Sequence, residues 1–288
     1  MEKYRLLYEA LAVSGLIPRI HIVAPAPATD EQLLRAHDPV YLTRVKMGRL
    51  SDREVRRIGL PWSPQLLRRT RCSVGGTIAA CRAALRDGVA VNLAGGTHHA
   101  FRDHGQGYCI FNDSMVAIRA MQVEGRIDRA VILDGDVHQG NGTAAMAADD
   151  PTVFTLSVHS ERNFPLRKER SDLDIGLQDD TGDVAYLSVW RSGVERAIRV
   201  SEADLAIYIA GADPYEDDRL GRLALSKSGL ARRDEVVFEL CGRAELPVAT
   251  VMGGGYARRV QDTVEIHLQT VQRAYESSKW VTQRRRDC

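Results

Sequence analysis

The sequence lacks the features that mark membrane proteins, disulfide-rich secreted proteins and zinc ribbons. None of its 288 residues lies in an apolar run near the ~20 residues of a membrane-spanning helix, and the N-terminus has no signal-peptide pattern. Its five cysteines show no C-x-x-C spacing, which predicts reduced thiols in a cytoplasmic protein. The net charge of +1 gives no overall electrostatic reason for the chain to bind nucleic acid.

The chain does contain a regular alternation of short apolar runs and amphipathic segments. The apolar runs predict strands at Ile20–Val23, Val89–Leu93, Ala130–Leu133, Val153–Val158, Leu205–Ile209 and Val248–Met252. Helical periodicity between them predicts helices at Pro64–Arg86, Ser114–Glu124, Val184–Val200 and Leu230–Glu245. Because we see no repeat, linker or break in composition, we expect a single α/β domain over residues 1–288. Its sheet should be mostly parallel and covered by helices on both faces.

Polar, glycine-containing segments follow four of the predicted strands. They are Gly95–His99, Asp134–His138, Gly211–Pro214 and Gly253–Tyr256. In open parallel sheets, ligands bind outside the carboxyl ends of the strands. The sequence therefore predicts one site, at a single edge of the sheet, that gathers histidines, aspartates and a tyrosine.

The most informative segment is Asp134–His138, followed by a Gly-Asn-Gly turn. Asp136 and His138 alternate with apolar or glycine positions, so a strand would point both side chains to the same side. A carboxylate and an imidazole at a strand end are typical ligands of a divalent metal. A solvated strand end that carries this triplet by chance is the alternative, and the neighbouring loops favour the metal site.

The strand-end motifs and the segments around them resemble those of the histone deacetylase family, the zinc deacylases of the arginase/deacetylase fold. The motifs that carry the resemblance run from His37–Tyr41 through Arg71–Thr77 to the Gly253–Tyr256 loop. Gln139 before Gly-Asn-Gly, and the run Ser157–Pro165, resemble the class IV branch and its bacterial relatives. The same fold also carries polyamine deacetylases and manganese ureohydrolases, so the resemblance leaves the substrate open.

The resemblance implies that Asp136, His138 and Asp213 are the metal ligands. Three protein ligands leave coordination positions open for water and substrate, as a catalytic zinc requires. Two carboxylates and one imidazole would also accept Fe²⁺ or another divalent ion. Ser157 and the backbone of Asp134–His138 match a structural potassium site of the family. The ureohydrolase alternative needs a second metal, and the corresponding positions here carry two histidines and Asn141.

The same resemblance implies that His98 and His99 are the acid–base pair. Asp134 would orient His98, and Asn141 would orient His99. An amide fixes the ring of His99 but stabilises its protonated form less than a carboxylate would. We therefore expect His99 to be less basic than it would be with a carboxylate partner. We expect His99 to act as the principal general base and acid, with His98 as its electrostatic partner.

Four further residues are implied to contact the substrate or the transition state. Tyr256 would donate its hydroxyl to the oxyanion. Gly107 and Tyr108 would line one wall of an acyl-lysine tunnel, and the Gly107 carbonyl would accept the N–H of the scissile amide. Phe164 would form the opposite wall. Cys109, beside this loop, is expected to be a small buried residue and not a nucleophile.

The resemblance thus implies a deacylase that acts on acylated lysine in a protein or peptide, or on a small acylated amine. The arginine-rich segments Arg49–Arg57 and Arg68–Arg71 would repel a polyamine if they lie at the tunnel mouth, although they would also suit solvated helix faces. A non-catalytic acyl-lysine reader would be expected to lose a ligand or the tyrosine, and this chain keeps them all. Family members usually have a strand before the helix that starts here at Met1–Leu7, so we expect either that this strand is absent or that the recorded start of the sequence is late.

Overall fold

The computed structural model describes residues 2–18 and 21–287, with side chains through Ser278. Its helices are α1 Glu2–Ser14, α2 Asp30–Leu34, α3 Pro39–Lys46, α4 Asp52–Ile58, α5 Pro64–Asp87, α6 Asp113–Val123, α7 Asn141–Ala147, α8 Asp183–Ser201, α9 Lys227–Arg243 and α10 Val260–Asp287. Its strands are β1 Val89–Asn92, β2 Ala130–Asp134, β3 Val153–Ser160, β4 Leu173–Leu177, β5 Leu205–Ile209 and β6 Val248–Val251.

The six strands form one parallel sheet in the order β1-β6-β5-β2-β3-β4. The central strands β6, β5 and β2 are buried at every position. All strands point the same way, so their carboxyl ends share one edge of the sheet. The loops after these three central strands therefore meet there, which is what the strand-end motifs predict.

Helices cover both faces of the sheet, as expected. One apolar cluster packs α5 and α6 against one face, and a second packs α8 and α9 against the other. A third cluster joins α1 and α10 beside β1 and β6. The structure confirms the predicted single α/β domain with helices on both faces of a parallel sheet.

Local sequence signals explain where the long helix α5 begins and ends. The Ser63 hydroxyl accepts a hydrogen bond from the Leu66 N–H, and Pro64 occupies the first turn, where a missing N–H costs nothing. The helix stops at Gly88, whose φ of 89° suits glycine better than any residue with a side chain. The helix places Gly75 and Gly76 against neighbouring chain segments that a Cβ atom would strike.

Two strand predictions need correction. The predicted strand Ile20–Val23 is wrong where the structure describes it, because His21–Val23 is irregular; Ile20 lies outside the described residues. The strand Leu173–Leu177 was not predicted. It is the edge strand β4, in which half-buried and exposed residues alternate, so it lacks the continuous apolar run of the central strands. Among the helices that the structure describes, none has the length and apolar character needed to cross a membrane.

Candidate metal centre and active site

Asp136, His138 and Asp213 lie together at the carboxyl ends of β2 and β5, with one potential ligand atom from each within 4.8 Å of the others. His138 Nδ1 is 3.1 Å from Asp136 Oδ1 and 3.2 Å from Asp213 Oδ2. Four metal–ligand bonds of about 2.0–2.1 Å in a tetrahedral arrangement would place neighbouring ligand atoms roughly 3.3 Å apart. The three side chains therefore have the spacing of a set of metal ligands.

The other oxygens of the two carboxylates are held by backbone donors. Asp136 Oδ2 accepts from the Gly254 N–H at 2.7 Å, and Asp213 Oδ1 accepts from the Val137 N–H at 3.0 Å. Asp213 Oδ2 is buried and accepts no well-formed hydrogen bond, although His138 Nδ1 lies 3.2 Å away. Buried carboxylates are paired or bind metals, so an unpartnered oxygen beside His138 is what a cation site would require. The chemistry of the donor set fits a divalent metal.

Two histidines, each with a different partner, lie beside these ligands. His98 Nδ1 is 2.6 Å from Asp134 Oδ2, and His99 Nδ1 is 2.7 Å from Asn141 Oδ1. The two rings are 4.1 Å apart between centroids. An amide oxygen only accepts hydrogen bonds, so His99 Nδ1 carries the proton and its Nε2 keeps a free lone pair. The structure thus brings together the predicted histidines and their predicted partners.

The two histidines differ in basicity. Burial lowers the pKa of His98, but the charges of Asp134 and Asp136 outweigh burial and raise the pKa to about 9. Burial, followed by the neighbouring His98 and His138, lowers the pKa of His99 well below its usual value. The hydrogen bond that His99 donates to Asn141 Oδ1 offsets only part of this shift. The surroundings therefore favour the protonated form of His98 and the neutral form of His99.

The predicted tunnel walls face each other above His99. A Cβ atom on Gly107 would lie 2.7 Å from the His99 ring and 3.1 Å from the Phe164 ring, so only glycine fits between them. The Phe164 ring meets His99 edge-on, 4.9 Å between centroids, and is 38% exposed. Tyr108, which follows Gly107 in sequence, is 47% exposed, and its ring is 5.8 Å from that of Tyr256 between centroids. Cys109 is buried, and burial raises the pKa of its thiol, as befits a packing residue.

The segment that presents Phe164 is tied to the metal loop through Gln139. The Gln139 side chain donates to the Glu169 carbonyl at 2.7 Å and accepts from the Glu169 N–H at 2.9 Å. It also donates to Asp174 Oδ1 at 2.8 Å. Gln139 follows the candidate ligand His138 directly, so its side chain links the candidate metal loop to Glu169, on the chain segment that follows Phe164.

Tyr256 follows three glycines that pass close to the metal ligands. A Cβ atom on Gly254 would lie 1.8 Å from Asp213 Oδ2, which excludes every other residue there. Two contacts hold this loop that the sequence did not suggest. The buried Lys3 donates to the Gly253 carbonyl at 3.1 Å, with its ammonium 5.3 Å from the Tyr256 ring centroid, and Asp218 accepts from the Tyr256 N–H. Only the tertiary structure reveals Lys3, because it lies 250 residues away in sequence.

The arginine-rich segments separate into two environments. The end of α4 contacts the predicted tunnel wall, because the Tyr108 N–H donates to the Ile58 carbonyl at 2.7 Å. Arg56 and Arg57 on this helix are exposed. Arg71 instead is paired with Asp30 and donates to the Ala28 carbonyl, away from the rim. Only the first segment is therefore shown to adjoin the Gly107–Tyr108 segment.

The remaining predicted residue of an ion site, Ser157, is buried on β3, and its hydroxyl is 2.9 Å from His159 Nδ1. The other histidines without a predicted metal role include His37, which is buried and accepts a hydrogen bond from the Asn112 N–H at 2.9 Å. His267 is also buried. Ser157, His37 and His267 all lie outside the Asp136–His138–Asp213 cluster.

Comparisons with known proteins agree with this architecture. The chain is 45% identical over 267 residues to an uncharacterized protein of Picosynechococcus sp., covering 93% of this chain and 89% of that protein. It is 31% identical over 274 residues to a histone deacetylase-like amidohydrolase of Pseudomonas aeruginosa, covering 89% and 71% respectively.

The fold is also that of a solved relative. The crystal structure of a histone deacetylase homolog complexed with SAHA superposes with a TM-score of 0.78 at 24% identity, covering 95% of this chain and 81% of that one. The family model of the histone deacetylase domain matches residues 1–271. The chain is therefore a member of the histone deacetylase family.

Proposed function

We propose that this chain is a metal-dependent deacylase that removes an acyl group from the side-chain amine of acylated lysine, in a protein or peptide, or from a small acylated amine. The histone deacetylase family supplies the deacetylase or amidohydrolase chemistry. The observation that carries the finer proposal is the convergence of Asp136, His138 and Asp213 beside the His98–His99 pair. The proposal covers residues 1–288 as a class IV-like enzyme.

Asp136, His138 and Asp213 would hold the metal, which we propose to be Zn²⁺, with Fe²⁺ or another divalent ion as the alternative. When bound, such an ion supplies Lewis-acid polarisation of the amide carbonyl and lowers the pKa of water to about 7. We also assign a structural K⁺ to the region of Ser157 and the backbone of Asp134–His138. This assignment rests on the family resemblance.

His99 is proposed to move the protons. Its Nε2 lone pair accepts a proton from the attacking water, since Nδ1 holds its own proton against Asn141 Oδ1. As the bond between water oxygen and acyl carbon forms and the C–N bond breaks, His99 returns the proton to the leaving amine. His98, hydrogen-bonded to Asp134, is the electrostatic partner of His99 in this scheme.

Tyr256, Gly107 and Phe164 are proposed to hold the amide in place. The Tyr256 hydroxyl donates to the developing oxyanion, and the Gly107 carbonyl accepts the scissile N–H. Phe164 and Tyr108 flank the methylene chain of the lysine and exclude water from the reacting carbonyl. The exposed faces of both aromatic rings are consistent with this role.

The exposed arginines of α4 favour a lysine substrate over an acetylated polyamine. Arg56 and Arg57 lie on the helix whose last residue, Ile58, accepts a hydrogen bond from Tyr108. A polyamine is a flexible polycation, so like charge at this position would slow its approach. A lysine within a peptide carries no such uniform charge.

The test is a comparison of kcat/KM for acetyl-lysine peptides, longer acyl-lysine peptides and acetylspermidine at low salt. We expect turnover of the peptides that is lost with a chelator and restored by Zn²⁺. The matched variant is Arg56→Gln/Arg57→Gln, which should raise kcat/KM for acetylspermidine and leave the neutral peptide unchanged. A preference of the wild-type protein for acetylspermidine would show that the lysine assignment is wrong.

A further inference from the structure

A fully buried arginine lies directly behind the metal centre. Arg233, on α9, is 0% exposed, and it neighbours Asp234, which is also 0% exposed. Arginine is almost never buried completely unless its charge is paired. A buried ion pair costs desolvation energy and is often replaceable by apolar side chains without loss of stability. Its presence here calls for a role other than cohesion of the core.

The guanidinium divides its hydrogen bonds between Asp234 and the two metal-bearing loops. Nε and Nη2 donate to Asp234 Oδ1 at 3.0 and 2.8 Å. Nη1 donates to the Gly135 carbonyl at 3.1 Å and to the Gly211 carbonyl at 2.5 Å. Asp234 is itself anchored by the hydroxyls of Tyr208 and Thr270. One nitrogen atom therefore bridges the ends of β2 and β5.

Both carbonyls belong to peptide groups that lie next to metal ligands in sequence. Gly135 precedes Asp136, whose own N–H donates to Asp134 Oδ1 at 3.1 Å. Gly211 lies two residues before Asp213, and the following N–H, of Ala212, donates to the Gly254 carbonyl. Each peptide group is thus held at its oxygen by Arg233 and at its nitrogen by another partner.

The two loops that this bridge joins approach each other closely. A Cβ atom on Gly211 would lie 2.5 Å from Asp136 Oδ2. A Cβ atom on Gly135 would meet the Trp190 ring at 3.1 Å and Arg233 Cδ at 3.4 Å. Small rotations of either peptide group would move Asp136 relative to Asp213. Holding both peptide groups would therefore fix the spacing of these two carboxylates.

We propose that Arg233 is a positioning residue for metal binding, which holds the loops of Asp136 and Asp213 at the separation that one divalent ion requires. The inference rests on the proposed metal-dependent function. Asp234 balances the charge of the guanidinium, so the contribution of Arg233 is orientation and not electrostatic attraction. Outer hydrogen-bond partners of metal ligands are commonly worth about 10–100-fold in metal affinity.

The experiment measures Zn²⁺ affinity of the full-length protein by competition with a chromogenic chelator. The main variant is Arg233→Met/Asp234→Asn, because it removes both charges together and leaves an amide to bond Tyr208 and Thr270. We expect the dissociation constant for Zn²⁺ to rise about 10–100-fold. Arg233→Lys keeps the charge but replaces the planar fork with a single ammonium, and its affinity should lie between those of the wild type and the double variant.

The control separates metal positioning from general destabilisation. Ile118→Ala opens a cavity in α6, in the apolar cluster on the opposite face of the sheet, and should lower the thermal midpoint without changing Zn²⁺ affinity. Wild-type affinity in both Arg233 variants, or an equal loss in Ile118→Ala, would overturn the inference and leave the proposed function intact. A wild-type protein that binds no metal would overturn both.

Discussion

Replacing Asn141 with aspartate should raise the pKa of His99. Asn141 Oδ1 lies 2.7 Å from His99 Nδ1 and fixes the ring without adding a charge. The adjacent pair provides an internal reference, since Asp134 Oδ2 lies 2.6 Å from His98 Nδ1. There, burial is outweighed by Asp134 and Asp136, and the pKa of His98 is raised to about 9. Asn141→Asp would give His99 the same type of partner.

The expected shift follows from the contact distance. An opposite charge at this range raises the pKa of an imidazole by about 1–3 units. Because His99 acts as a base in its neutral form, a higher pKa means that the active form is lost at a higher pH as the solution is acidified. The acid limb of kcat/KM against pH should therefore move upward by about 1–3 units.

The substitution is structurally conservative, so the assay can be interpreted. Aspartate has nearly the same shape as asparagine, and Asn141 is the first residue of α7, where the helix dipole favours a carboxylate. The matched control is Asn141→Ala, which removes the oxygen without adding charge. It should lower the rate and leave the acid limb where it is, or move it downward. An acid limb that does not move upward in Asn141→Asp would refute the assignment of His99 as the general base.

Three further predictions test other parts of the structure. Tyr256→Phe should keep metal binding and lower kcat by about 10²–10³, as loss of one oxyanion donor does; near-native turnover would contradict the role of its hydroxyl. Asp136→Ala should abolish the single stoichiometric metal detected by elemental analysis while far-ultraviolet circular dichroism is retained, and two metals per wild-type chain would favour a binuclear site instead. Burial lowers the pKa of His37 to about 4 in the folded protein. In the unfolded chain its pKa is about 6.5, so between these two values only the unfolded chain binds a proton at His37. The free energy of unfolding should fall by roughly 2 kcal/mol between pH 7 and pH 5 through this group alone, and urea titrations should show a smaller pH dependence in His37→Gln.

The sequence was sufficient for the central strands, because strands buried on both faces need continuous apolar runs. β2, β3 and β5 follow such runs closely. The same criterion failed in two places. It selected Ile20–Val23, where the described residues His21–Val23 are not paired with any strand, and it passed over the half-exposed edge strand β4. An apolar run in the sequence indicates that a segment is buried. Whether that segment is a strand depends on its hydrogen bonding to a neighbouring strand.

The strand-end motifs also anticipated which residues meet at the site. Asp136 and His138 are two positions apart, so their proximity is local, and Asp213 follows a neighbouring strand of the same sheet. Their roles in catalysis remain predictions. The pairing of His99 with Asn141 was implied by the family resemblance, and the structure adds the 2.7 Å contact that fixes which nitrogen carries the proton.

What the sequence determined by itself was therefore the set of side chains at one edge of a parallel sheet. What only the tertiary structure decided was how those side chains are held. Arg233 and Asp234 belong to a helix that is rich in charged residues, and nothing in their spacing distinguishes them from a solvated helix face. Lys3 lies 250 residues from the loop that it contacts. Long-range packing selects which charges are buried, because the cost of desolvation is offset only where partners from distant segments converge.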